Sequence, residues 1–117
     1  MIDDPIGDAE LLWRRCVALD LKEDGSAKSS LWRTEEVSVH RAGLLPGDRE
    51  TALTAIAATD GCVAVFEVTA GALRTLGFVV EPLTEGHSPD HAIIKGIANQ
   101  KKAQKVRDLA NKVWPKP

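Results

Sequence analysis

The sequence predicts a single α+β domain over residues 1–117, with a small mixed sheet of three to four strands packed by about four helices. Three observations carry that reading. A chain of 117 residues is one domain's worth, and its 44% apolar and 27% charged residues are an ordinary globular balance. Windows with apolar residues at helical spacing alternate with short β-branched runs. Turn-forming Gly, Pro and Asp residues separate these windows, and no linker, repeat or low-complexity tract interrupts them.

Taken in order, Leu12, Cys16 and Leu19 recur at i, i+4 and i+7, with Trp13 and Val17 beside them. Asp8 and Glu10 suit a helix start, so a first amphipathic helix is expected from about Ala9 to Leu19. Lys22 to Ser30 is small and polar and reads as a loop. Val37-Ser38-Val39-His40 alternates apolar and polar with β-branched residues, which favours a strand. Leu45-Pro46-Gly47-Asp48 is a turn, and Asp48 caps a second helix with Leu53, Ile56 and Ala57 on one face. Asp60-Gly61 closes it.

Cys62 to Val68 is a near-continuous apolar run, the pattern of a central strand covered on both faces. Thr69 caps a short helix, Ala70 to Leu76, with Gly77 at its C′ position. Phe78 to Pro82 and His91 to Lys95 are two further strands, ended by a proline and by Gly96. Thr84 to Asp90 joins them as a loop. The last element is a basic C-terminal helix within 97–114, from about Asn99 to Val113. Ala103, Val106, Ala110 and Val113 form its apolar stripe, and Pro115 forbids continuation.

The charge is divided along the chain. Residues 1–94 hold 8 Lys/Arg against 16 Asp/Glu, a net of −8. Residues 95–117 hold 7 Lys/Arg against one acid, a net of +6. Such a split hints at an acidic or polyanionic partner. Lys101, Lys102, Lys105, Arg107 and Lys112 on the last helix are the residues that would contact it. No aromatic side chains interleave with them, so single-strand stacking is unsupported. The plainer reading is a solvated helix face, or one docked on the acidic body of the same or another subunit.

Cys16 and Cys62 form no CxxC pair and no zinc-ligand spacing, so they read as buried reduced thiols. The acidic start Met1-Ile2-Asp3-Asp4-Pro5 has no basic segment followed by an apolar one, and no apolar run approaches the roughly 20 residues that span a bilayer. The expected setting is the cytoplasm, with no membrane partner. No G-x-G-x-x-G, P-loop or G-x-S-x-G motif is present, and no cofactor is expected.

Several segments resemble small prokaryotic proteins of unassigned function that share an S-V-x-R-A and a P-x-H-A-x-I-x-G segment. Here these are Ser38-Val39-His40-Arg41-Ala42 and Pro89-Asp90-His91-Ala92-Ile93-Ile94-Lys95-Gly96. Leu31-Trp32-Arg33 and the Val68-to-Gly77 stretch accompany them. The resemblance implies a bacterial origin and no particular activity.

Four residues are candidates for catalysis or nucleotide binding: His91, Arg33, His40 and Arg41. His91 opens an apolar strand after Pro89-Asp90. A carboxylate such as Asp90 would orient it as a general acid or base, whereas the plainer reading is a strand-edge histidine bonded to loop backbone. Arg33, His40 and Arg41 would line a cleft for a phosphate or nucleotide, unless Glu35 and Glu36 merely balance the arginines. His87 and His91 form an H-x3-H pair, but Pro89 between them denies the helix a metal site would use, and no metal is expected. Thr69-Ala70-Gly71 reads as a helix cap before an anion cradle.

The function expected from these features is a protein-interaction or regulatory module that binds another protein or itself. The alternatives are an enzyme or nucleotide-binding domain built on His91, and a nucleic-acid-binding accessory protein built on the basic helix.

Overall fold

The computed structural model describes residues 5–84 and 86–115. The acidic first residues and Lys116 lie outside them, as does Glu85 within the expected Thr84–Asp90 loop. Six strands form one sheet: β1 (Leu11–Val17), β2 (Glu36–Arg41), β3 (Cys62–Thr69), β4 (Val79–Pro82), β5 (His91–Lys95) and β6 (Asn111–Trp114). Their order is β4-β5-β2-β1-β3-β6, and every neighbouring pair is antiparallel. Three helices accompany them: α1 (Arg49–Ala57), α2 (Ala70–Thr75) and α3 (Gln100–Leu109). Short 3-10 turns cover Ala18–Asp20, Ser29–Trp32 and Ala42–Leu44. Among the described residues, no helix is long and apolar enough to cross a membrane.

The expected mixed sheet of three to four strands with about four helices is therefore wrong on both counts. Two segments read at helical spacing are strands. The expected helix from Ala9 to Leu19 is mostly β1. Leu12 and Cys16 satisfy a period of two as well as they satisfy i, i+4. Because β1 lies inside the sheet, Trp13 is buried on the opposite face, so apolar residues occur at both parities and the alternation is hidden. Leu19, the third member of the supposed helical stripe, is 82% exposed. The expected 97–114 helix is likewise too long. It ends at Leu109, Ala110 is extended, and Asn111–Trp114 pairs with β3 as an edge strand. The open edge of β3 offers backbone partners that one more helical turn would forgo.

The remaining elements follow their local chemistry. Asp48 caps α1, its side chain accepting from the Thr51 N–H at 2.8 Å. Thr69 caps α2 by accepting from the Ala72 N–H at 3.3 Å. Gly77 follows α2 at φ +92°, the left-handed C′ conformation that glycine adopts without strain. Asn99 caps α3 through the Lys102 N–H.

One sheet face carries the larger apolar cluster. Leu12, Cys16, Val37, Val39, Phe66, Val68 and Ile94 meet Leu73 of α2, Ala103 and Val106 of α3, and Leu31 and Trp32 of the 3-10 turn. On the other face α1 covers only one half, where Ala52, Leu53 and Ile56 pack on Trp13 and Val65. The half formed by β2 and β5 lacks a helix, and this is where the candidate site lies.

Arg41 is 2% exposed on the covered face. Its guanidinium meets Glu10 through Nε at 2.5 Å and a second nitrogen at 2.8 Å, and also donates to the Pro5 carbonyl. This fork ties the chain leading into β1 to the end of β2. We expect Arg41→Ala to lower stability by about 1–3 kcal/mol, because it removes the buried guanidinium's bonds to Glu10 and to the Pro5 carbonyl. Urea unfolding checks this, and a loss below about 1 kcal/mol would show the pair to be dispensable.

Candidate functional site

β1 pairs with β3 from Leu11 through Val17 but with β2 only at Leu12↔Arg41 and Trp13↔His40. Beyond those two pairs the β1–β2 seam opens. Arg14 bridges the opening, donating from Nε to the Leu31 carbonyl at 3.2 Å and from a terminal nitrogen to the Ser38 carbonyl at 2.9 Å. Burial lowers its pKa, an effect the Asp20 carboxylate opposes.

A pocket of about 380 Å³ sits over this opening, on the half of that face that α1 leaves uncovered. Arg14, Arg15, Asp20, Ser38, Cys62 and all three histidines of the chain, His40, His87 and His91, line it. Arg15 is exposed, with one guanidinium nitrogen on the Thr59 hydroxyl at 3.0 Å. β2 supplies Ser38 and His40 because its even positions face this side, while Val37, Val39 and Arg41 face the core.

His40 and His91 are directly opposite in the β2–β5 register. The next pair, Arg41 and Asp90, carries the ladder bond from the Arg41 N–H to the Asp90 carbonyl at 2.7 Å. His40 and His91 are therefore a non-hydrogen-bonded pair, the kind whose side chains come closest, with Cα atoms about 4.5 Å apart.

Both imidazoles are fixed in tautomer by their partners. His91 Nδ1 lies 2.7 Å from the Leu83 carbonyl, which can only accept, so Nδ1 carries the proton. His40 Nδ1 lies 2.6 Å from Asp90 Oδ2. Asp90 is 6% exposed. Burial pushes its pKa up, but hydrogen bonds from His40 and Ser88 outweigh burial and hold the carboxyl below its ordinary value. An ionised Asp90 accepts, so His40 Nδ1 also donates. In each neutral ring Nε2 is left with its lone pair, and among the described residues neither Nε2 has a protein partner. His87 stacks on His91 with ring centroids 4.1 Å apart at 15°.

Of the four sequence candidates, the pocket gathers His91 and His40. Arg41 points the other way into its Glu10 ion pair, and Arg33 is exposed at the end of the Ser29–Trp32 turn. Asp90 orients His40 across the strand pair, although sequence adjacency had suggested His91. The two arginines of the pocket, Arg14 and Arg15, were missed because they were placed on a helix. A period-two reading of β1 would have put Arg15 on the face of Trp13.

Cys16 and Cys62 are free and belong to the clusters on opposite sheet faces. Burial pushes the Cys16 thiol up to about 11, with the Asp20 charge adding to it. His87 and His91 stack on each other. Among the described residues, no group of three or more His, Cys, Asp or Glu side chains is placed to hold a metal ion. Lys101, Lys102 and Lys105 are exposed on α3 and enter no ion pair among the described residues. Arg107 pairs with the adjacent Asp108 at 3.1 Å.

Compared with known proteins, the chain matches no family model, no curated protein and no solved structure.

The Asp90–His40 contact makes a testable statement. Asp90→Asn is expected to shift the His40 Nδ1/Nε2 tautomer ratio, read from ¹⁵N shifts of the ring, because an amide can offer either a donor or an acceptor. An unchanged ratio would show that Asp90 does not set the tautomer. The depressed carboxyl pKa has a fixed sign. It adds stability above the ordinary carboxylate pKa of about 4, and that stability fades as pH falls through the lower folded value. The acid limb of the stability profile should therefore be shallower in Asp90→Asn.

Proposed function

We propose that the pocket between β1, β2 and β5 binds a small anionic ligand and moves protons to or from it. The observation that carries this reading is the pair of imidazoles in one pocket with two guanidinium groups. Both imidazoles are held at Nδ1 and free at Nε2. Arg14 and Arg15 attract the anion, and Arg15 is the one with side-chain freedom to close on it. The free Nε2 atoms of His40 and His91 are the groups that exchange protons. A volume of about 380 Å³ suits a small molecule.

Titration with inorganic phosphate, followed by two-dimensional NMR, tests the reading. Shifts centred on His40, His91 and Arg15 are expected, with affinity about tenfold weaker in Arg15→Ala, the cost of one charge-assisted hydrogen bond. No response at millimolar phosphate would overturn it.

A second reading is an interaction role for α3, favoured by Lys101, Lys102 and Lys105, which are exposed and enter no ion pair among the described residues. The helix docks through Ala103 and Val106, which leaves its charge available to an acidic protein surface or to a second copy of this acidic chain. Fluorescence anisotropy with labelled DNA and RNA at two salt concentrations separates the partners. With Lys101, Lys102 and Lys105 of α3 and Lys112, which lies on β6 and not on the expected helix, all changed to Ala, an acidic-protein role predicts no loss of nucleic-acid binding. Salt-sensitive binding lost in that variant would move the partner to a nucleic acid. The free thiols Cys16 and Cys62 fit a reducing cytoplasmic setting.

A further inference from the structure

We infer that the substrate class of this pocket is a phosphodiester, cleaved by water with His40 and His91 as an acid–base pair. The inference rests on the anion-binding reading above and narrows it. Two features carry it: the charge of the pocket and the symmetry of its imidazoles.

Arg14 and Arg15 are opposed by Asp20 on the pocket wall and by Asp90 behind His40. With all imidazoles neutral, these charges cancel among the described residues. With one imidazolium, the pocket carries +1. That charge matches a monoanion, the form of a phosphodiester, better than the dianion of a phosphomonoester. A diester also needs what a pair of imidazoles supplies. Its attacking water must lose a proton, and its departing alkoxide must gain one.

His40 and His91 stand opposite each other on one face, each with Nε2 open. The reaction requires both Nε2 atoms to reach one bound phosphoryl group. One neutral imidazole takes a proton from water as the water oxygen bonds to phosphorus. The other, entering as imidazolium, gives its proton to the ester oxygen as that P–O bond breaks. The products are a phosphomonoester and an alcohol. The first imidazole ends protonated and the second neutral, and exchange with solvent restores the starting pair. The Arg14 and Arg15 guanidinium groups hold the non-bridging oxygens as charge gathers on them. Asp90 is a positioning residue, since it acts through His40. Among the described residues, the charged and titratable groups facing the two imidazoles are Arg14, Arg15, Asp20, Cys62, His87 and Asp90.

The experiment is hydrolysis of bis(p-nitrophenyl) phosphate by the full chain, beside p-nitrophenyl phosphate, with inorganic phosphate binding measured on the same preparation. Release from the diester is expected at least about tenfold faster than from the monoester. His40→Ala and His91→Ala should each lower kcat about a hundredfold with little change in KM, and Arg15→Ala should mainly raise KM. The wild-type pH profile should be bell-shaped, and each histidine variant should lose one limb. Wild-type turnover decides the matter even where a variant fails to fold. Phosphate binding without diester cleavage would overturn this inference and leave the anion-binding reading standing. Absence of phosphate binding would overturn both.

Discussion

The site depends on one strand seam that stops early. β1 pairs with β3 along its whole length, with one bulge between Cys16 and Val17, but leaves β2 after two residue pairs, and the Arg14 guanidinium spans the gap to the Leu31 and Ser38 carbonyls. The Ser38 carbonyl at the opened seam has lost its ladder donor, and the Arg14 guanidinium supplies one. A guanidinium is suited to this, with five donors in a rigid plane. The same group that satisfies the backbone places positive charge under the pocket. Structure and electrostatics are thus coupled at Arg14. Closing the seam with a regular ladder would remove both the cavity and the reason for a cation there.

The alternation of β2 then decides which polar residues enter the pocket. Its inward side carries Val37, Val39 and Arg41, and its outward side carries Ser38 and His40. Arg41 and His40 are adjacent in sequence but serve opposite faces. One locks the N-terminal approach through Glu10, and the other meets His91 and Asp90. A one-residue slip of β2 would bury His40 in the apolar cluster and expose Val37 and Val39. The apolar residues therefore fix the position of the imidazole, although none of them touches it.

Sequence alone revealed the elements with a single clear signal. Asp48, Thr69 and Gly77 marked helix ends that the structure keeps, and His91–Lys95 is a strand as its short apolar run before Gly96 implied. The failures lie where two periods fit equally well. Leu12 and Cys16 fit i, i+4 and also fit alternation, and buried Trp13 puts an apolar residue at the other parity, so the alternation does not stand out. At the C-terminus the stripe of Ala103 and Val106 was read on through Ala110 and Val113, which belong to the turn and to edge strand β6. His40 was visible as a candidate, but Asp90 lies fifty positions away. Their meeting is set by the β2–β5 register, which no local pattern encodes.

The charge split acquires a physical meaning once the helix is placed. If α3 were docked by its charge, its lysines would face carboxylates of the body. They do not: Ala103 and Val106 make the contact, and the lysines face solvent. Apolar burial is indifferent to the sign of the outer face, so packing leaves that face free to carry charge for another purpose. The pocket shows the opposite arrangement. There Arg14 and Arg15 are balanced by Asp20 and Asp90, so the local field is small until an imidazole takes a proton. A nearly neutral pocket gains a large fractional change in charge from one proton, whereas the α3 face does not.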